Sequence, residues 1–469
     1  MSSNLRALTA ALIVVAAALT GAFYLGQRSG VQSADTSRDI TGEVASTDLQ
    51  SLLGGGSQDE RVLDLAFRHA VEQFYKPLND QTLLDGEHHG IVTYLREKHI
   101  AAGGLPPVSA TGDVIGDRNK INEQLAFAQR HYGAKAGNAN ITEAAIRGMV
   151  DALKDPYTVY LAPKEIQSLN ESLEGGNFGG IGVYIEKDPK SGDVIVAPIE
   201  DLPASRAGMK PGDVVVAVDG HSTKGLKLDE VEHLIRGSAG TTVRILAHPW
   251  KKPGQRVYSI VRETIHVPTV KAKMEDGYDY IRLSDFGDTS SNEIKKALLF
   301  GKAHHAKGYL LDLRNNGGGL LEAAVRISSY FVQQGPIVST IDRQGRKDTQ
   351  DALATQITGL APLAVLVNKY TASASEITAG ALQDYKLGAI VGTKTFGKGV
   401  VQSIYPLPDN GALKITTARY VTPLGRDIHH KGIDPDINVA QNPDPFLIDT
   451  PKDRQLQAAK AYLRRTAPR

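Results

Sequence analysis

Residues 392–402 read GTKTFGKGVVQ, and Gly392, Gly397 and Lys398 satisfy the phosphate-loop spacing G-x-x-x-x-G-K. Two features turn that reading away. A phosphate loop needs a Ser or Thr hydroxyl after its lysine to hold the magnesium that bridges the phosphates, and here the residue is Gly399. It also needs a helix whose N-terminus faces the anion, whereas Val400-Val401-Gln402-Ser403-Ile404-Tyr405 is rich in β-branched residues and stops at Pro406. The stretch predicts a strand, and Lys398 needs a chemical role other than holding phosphate.

A lysine can serve as a general base, and a base needs a nucleophile. Upstream, NKYTASASEITAGALQDY (368–385) follows a predicted strand at Leu363–Val367 and turns into a helix with Ile377, Ala381, Leu382 and Tyr385 on its apolar side. Ser373 stands just before that helix. Ser373-Ala374-Ser375-Glu376 also fits the capping box S-x-x-E, in which the serine does nothing but accept a helical N–H. The two roles are compatible, because a helix start leaves N–H groups such as that of Ala374 free to hold a developing oxyanion. Four positions separate Lys398 from Gln402, so a strand through both would point them to one face with Val400 between them. A candidate second oxyanion donor lies in GYLLDLRNNGGGLLEAA (308–324), a buried strand running into Gly317-Gly318-Gly319 and then a helix. This is no dinucleotide fingerprint, since Glu322 stands where the third glycine is required.

Working further outward, GGIGVYIE (179–186) is a glycine loop entering a strand. VIVAPIEDLPASRAGMKPGDVVVAVDG (194–220) gives strand, short helix, Gly-Asp turn and strand, and LDEVEHLIRG (228–237) with TVRILAH (242–248) adds a helix and a strand. That order resembles a PDZ domain. The backbone N–H groups of Ile181, Gly182 and Val183 can form a nest for a chain-terminal carboxylate, and the strand they enter can pair with an extended peptide.

With 469 residues the chain predicts two or three domains. Lys+Arg 53 against Asp+Glu 52 leaves a net charge of +1, which gives no electrostatic footprint for nucleic acid. The absence of cysteine excludes disulfides, thiol nucleophiles and thiolate metal sites. The pairs His88-His89, His304-His305 and His429-His430 are adjacent in sequence and so diverge on a helix or strand, which argues against a metal site. Ala7 to Leu25 is an uncharged run of 19 residues between Arg6 and Arg28, long enough to span a bilayer. It reads as an uncleaved anchor in preference to a cleaved signal peptide. Residues 27–60 are a polar, Ser- and Gly-rich tether. Helical spacing then begins at Arg61 and returns at Ile141 to Leu153.

TASASEI, TFGKGVVQ and LDLRNNGGGLL, together with a PDZ-like segment, resemble the carboxyl-terminal processing (tail-specific) proteases of peptidase family S41. GMVDALKDPYTVYLAP (148–163) matches that family's N-terminal signature. The resemblance implies a multidomain α/β protein: a membrane anchor (1–26), a linker (27–60), a helical region (61–172) with an insertion at 86–140, a PDZ domain (173–263), a crotonase-like α/β serine-protease core (264–440) and a C-terminal tail with a short helix (441–469). The family's serine precedes its lysine by 25 positions, the separation of Ser373 and Lys398, which selects Ser373 over Ser375. By the same resemblance Gln402 matches the family's glutamine, Gly318 and Ala374 its oxyanion-hole donors, and Arg236 a switch arginine linking the PDZ domain to the active site. Gly317 replaces the family's usual proline, which is expected to loosen the glycine loop.

The implied activity is serine endopeptidase chemistry through a Ser373–Lys398 dyad, without metal or cofactor, on proteins with free apolar C-termini captured by the PDZ domain. An extracytoplasmic body held at the membrane by residues 7–25 (or secreted, if these are cleaved) completes the expectation, with a homo-oligomer or an adaptor as a further partner. A catalytically silent, membrane-tethered PDZ scaffold is the alternative. A Ser-His-Asp hydrolase lacks its G-x-S-x-G elbow here. A free lysine titrates near pH 10.4, so burial must lower its pKa by about three units, worth about 4 kcal/mol, to give a usable base. The expected environment is an apolar, carboxylate-poor pocket walled by Phe396, Val400 and Val401.

Overall fold

Leu363–Val367, sequence LAVLV, is buried at every position, as a strand covered on both faces must be. In the computed structural model, which describes residues 57–166, 169, 177–188, 191–249, 254–266, 268–440 and 448–466, this strand lies inside a six-stranded sheet. The order is Val270–Glu275, Tyr278–Leu283, Tyr309–Asp312, Leu363–Val367, Gly388–Gly392 and Ile437–Asn438, antiparallel at the first pair and parallel beyond it. Alternation sorts its side chains into two cores. Leu363, Val365 and Val367 join Ile294, Leu321 and Ile377 from helices on one face, whereas Ala364 and Leu366 meet Leu456, Ala459 and Leu463 on the other. That second layer is the helix Arg454–Thr466, so the segment expected as a tail is an integral layer of the core.

A second sheet is organised by the ten-residue strand Ala412–Val421. It pairs with Val159–Leu161 at one end, Pro336–Asp342 at the other, and Val400–Pro406 along its opposite edge. Leu413 and Ile415 enter the core of the N-terminal helices; Ala418 and Tyr420 enter the core that holds Leu363, Val365 and Val367.

Four helices, Gln58–Gln73, Asp80–Glu97, Val114–Ala136 and Asn138–Asp151, share the first of those cores. Residues 86–140, expected as an insertion, contribute seven of its buried residues, among them Ile91, Leu95, Ile121 and Leu125, which are fully buried. The second and fourth helices touch backbone to backbone: a Cβ on Gly90 would lie 2.2 Å from the Ala144 carbonyl oxygen. A third sheet, beginning with Val183–Lys187 and closed by the helix Leu228–Ile235, has its own core around Val196, Val218, Val231 and Ile245. The run Ala7–Leu25 and the tether up to residue 56 lie outside the described residues. Among the described residues no helix is long and apolar enough to cross a membrane.

Candidate active site

Ser373 follows the strand Leu363–Val367 through a five-residue turn and stands at the start of the helix Ala374–Asp384. Its backbone, at φ 57° and ψ −119°, occupies a region that L side chains rarely adopt. What holds it there is a lacing of two loops. Thr371 Oγ1 donates to the Leu313 carbonyl (2.8 Å), Ala372 N–H and Ser375 Oγ donate to that of Asn316 (3.0 and 3.1 Å), and Asn368 Nδ2 donates to Asn315 Oδ1 (2.7 Å). Gly318, at φ 104°, is pressed against the serine: a Cβ there would lie 2.7 Å from Ser373 Cβ and 2.8 Å from Ala374 N. Only glycine fits so close an approach at that φ.

Gly317 was expected to loosen this loop, yet Asn316 pins it. Asn316 Nδ2 donates to the Leu283 carbonyl (2.9 Å) and its Oδ1 accepts from Gly318 N–H (2.8 Å). Gly318, expected to offer its N–H to an oxyanion, here donates it to Asn316. The N–H of Ala374 sits in the first helical turn, where no intrahelical acceptor exists.

Glu376, read from sequence only as a capping partner, joins the two halves of the site. Its Oε2 accepts from the backbone N–H groups of both Ser373 (3.0 Å) and Lys398 (2.8 Å). Its Oε1 accepts from Thr395 Oγ1 (2.5 Å) and Gly397 N–H (2.7 Å). Four donors make a fully buried carboxylate tolerable, although burial still pushes its pKa above the usual range. The backbones of serine and lysine therefore converge on one oxygen atom, while Ser373 Oγ is buried with no hydrogen-bond partner.

Lys398 is 5 % exposed, and burial together with the nearby Lys414 ammonium brings its pKa down to about 7, against the opposing pull of Glu376 and Asp155. Lys414 is itself buried, and burial brings it to about 8. The lysine Nζ lies 4.9 Å from the centroid of the Tyr157 ring, and Tyr420 Oη donates to the Lys398 carbonyl. Three expectations need correction. Lys398 precedes the strand, which starts at Val400, and the register shifts between Val401 and Gln402, so strand alternation does not relate Lys398 to Gln402. Phe396 is 56 % exposed and walls nothing, while Val400 and Val401 belong to two different cores. The surroundings are not carboxylate-poor either; Glu376 and Asp155 are both close enough to act on the amine.

Gln402 is buried, with Nε2 at 3.4 Å from Thr416 Oγ1, which in turn donates to Asp155 Oδ2 (2.6 Å). Its Oε1 has no partner. Asp155 and Tyr157 carry signals legible only as part of a family signature, since nothing in their own spacing points to a lysine so far along the chain.

The remaining predicted residues lie in the separate β-domain. Ile181 and Gly182 form the turn into the strand Val183–Lys187, with Gly182 at φ 70°. The Ile181 and Gly182 carbonyls point inward, accepting from Ala204 N–H (2.8 Å) and Ile199 N–H (2.9 Å). Arg236 caps the helix Leu228–Ile235 and pairs with Glu232 one turn earlier. It lines a cleft of about 1080 Å³ together with Lys164, His221 and His233.

Comparison with known proteins covers all three regions. Residues 108–165 match the activating protease CtpB N-terminal domain, residues 194–247 a PDZ domain, and residues 277–439 peptidase family S41. A carboxyl-terminal-processing protease of Picosynechococcus sp. is 40% identical over 322 residues, covering 67% of this chain and 77% of that protein. A probable CtpA-like serine protease of Staphylococcus haemolyticus is 37% identical over 334 residues, 70% of this chain and 66% of that protein, so the chain spans just under two thirds of its length. Among solved structures, a photosystem II D1 C-terminal processing protease aligns with a TM-score of 0.46 at 30% identity, covering 82% of this chain and 94% of that one. The chain belongs to the carboxyl-terminal-processing serine proteases of peptidase family S41.

Proposed function

We propose that the chain is an active endopeptidase in which neutral Lys398 takes the proton of Ser373, the serine attacks a backbone carbonyl, and water cleaves the resulting acyl-enzyme. The observation that carries this reading is the shared Glu376 oxygen. It fixes both backbones beside each other while Ser373 Oγ stays unspent and the amine is held near neutrality. Substrate tails enter through the PDZ domain, their terminal carboxylates held by the N–H groups of Ile181, Gly182 and Val183, with Arg236 responding to occupancy. Gln402 orients the base, and Ala374 with a reoriented Gly318 would hold the oxyanion. The committed N–H of Gly318 marks a resting arrangement that substrate must open. The body works outside the cytoplasm, tethered through Ala7–Leu25.

One assay addresses these points together: turnover of an unfolded protein with a free apolar C-terminus, added outside intact spheroplasts carrying the full chain. Ser373→Ala and Lys398→Ala should each lower kcat by at least a thousandfold, on the order seen when a nucleophile or its base is removed. Amidating the substrate's C-terminus should slow turnover of the wild type. Activity surviving in either variant would end the dyad reading, and an external substrate left intact would end the proposed location.

A further inference from the structure

The dyad mechanism requires a cation to appear where none was before. As the proton leaves Ser373 Oγ, a bond forms from Oγ to the carbonyl carbon, the carbonyl π pair moves onto oxygen, and Lys398 becomes an ammonium in a buried site. Of the charged groups that face it, Glu376 and Asp155 favour that charge and Lys414 opposes it. Lys414, from the strand Ala412–Val421, repels it. Glu376, from the helix Ala374–Asp384, already accepts four hydrogen bonds. Asp155 spends Oδ2 on the hydroxyls of Thr158 and Thr416, both at 2.6 Å. Tyr420 donates to the Lys398 carbonyl.

We propose that Tyr157 is a catalytic residue whose ring face receives the ammonium that Lys398 becomes on accepting the serine proton. The inference rests on the Ser373–Lys398 reading. Its geometry is direct: Nζ lies 4.9 Å from the ring centroid, within the distance over which an aromatic face attracts a cation. The ring is fixed from both sides. Asp155 clamps the segment to Thr416, Thr416 N–H donates to Thr158 Oγ1 (3.1 Å), and the strand Val159–Leu161 pairs with Ala412–Lys414 directly after it. Burial, Asp155 and Glu376 all push the phenol up, so it stays neutral and keeps an uncharged ring. Tyr157 lies within residues 108–165, outside the stretch that matches the S41 protease family at 277–439. The protease region alone thus lacks one wall of its own site.

The ring acts in two opposed ways, because its bulk excludes water and favours the neutral amine while its π face favours the ammonium. Substitutions separate them. Tyr157→Phe keeps both effects and should leave kcat and the pH profile within about twofold of wild type. Tyr157→Leu keeps apolar cover but removes the π face; kcat should fall roughly tenfold with KM little changed, and the acid limb of kcat/KM should move to lower pH. Tyr157→Ala admits water, so its acid limb should move to higher pH. A purely structural role would not send the limb in opposite directions for Leu and Ala. Thermal melts establish folding; if the Leu chain does not fold, a fluorinated phenylalanine at position 157 keeps the shape, weakens the face and should repeat the Leu result. An unchanged kcat and acid limb in the Leu or fluorinated enzyme overturns the proposal. That outcome is distinct from failure of the dyad reading, which would appear as activity in Ser373→Ala or Lys398→Ala.

Discussion

Two polar clusters sit at the carboxyl ends of adjacent parallel strands, Tyr309–Asp312 and Leu363–Val367, equally buried and opposite in character. In the first, Asp312 accepts from Arg314 N–H (3.0 Å), Nε (2.9 Å) and Nη2 (2.6 Å) and from Tyr280 Oη (2.7 Å). Arg314 Nη1 donates onward to Asp453 (2.9 Å) and Gln455 (3.2 Å). In the second, Ser373 Oγ and Gln402 Oε1 have no partner, the serine backbone is strained, and the lysine is pulled far from its ordinary pKa. Closed networks hold a fold, whereas a nucleophile whose lone pairs were already spent could not attack. The difference separates a closed structural cluster from the one proposed to be reactive.

The sharpest way to break this comparison is Arg314→Met, which leaves the Asp312 and Asp453 carboxylates buried without their cation. Urea denaturation should show a loss of about 3–5 kcal/mol, the usual consequence of removing one partner of a buried pair. A loss below about 1 kcal/mol would mean that the cluster is not the structural element its geometry describes. Since Arg314 leads directly into the Asn315–Gly318 loop, activity should fall with stability.

This cluster was also illegible in the sequence, and for a reason shared by most of what was missed. LAVLV and the ITAGAL helix declare themselves through local periodicity, whereas the proposed pairing of Ser373 with Lys398 is implied only by the resemblance to the family and its 25-position separation. Arg314 meets Asp453, and Lys398 meets Tyr157, only after the chain has folded back on itself, and no local pattern encodes such meetings. Glu376 shows the complementary limit. The S-x-x-E pattern announces a cap correctly, but the same carboxylate also gathers Thr395, Gly397 and Lys398, which the pattern cannot convey. Alternation misplaced Lys398 because a register shift interrupts the strand that carries Gln402.

Asp279 tests the comparison from between its extremes. It is fully buried on the strand beside Asp312, its carboxylate packs against Gly301, and neither oxygen has a partner, yet it is not among the residues of the proposed site. Burial raises its pKa to about 7 from an ordinary 3.8. The folded state therefore holds the proton where the unfolded chain releases it. The associated stability is complete below about pH 4 and is lost as pH rises to about 7. Asp279→Asn cannot ionise, so urea melts at pH 5 and pH 8 should show the wild type losing about 1–3 kcal/mol more than the variant over that interval. Parallel slopes in the two proteins would mean that this carboxyl has found a partner.

The smallest effect isolates the strain at the nucleophile. Ser373→Ala and Ser373→Gly both remove a hydroxyl that makes no hydrogen bond, and both abolish the proposed chemistry, so activity cannot distinguish them. They differ in backbone freedom, because at φ 57° an alanine Cβ keeps the steric cost that glycine lacks. Glycine's larger conformational entropy in the unfolded chain opposes this by about 0.5–1 kcal/mol, against a strain of about 1–3 kcal/mol. Ser373→Gly should therefore be more stable than Ser373→Ala by about 1 kcal/mol in urea denaturation. If alanine proves the more stable, the loops laced around Asn316 and Asn368 hold the serine without straining it, and the openness of the reactive cluster rests on its unspent polar atoms alone.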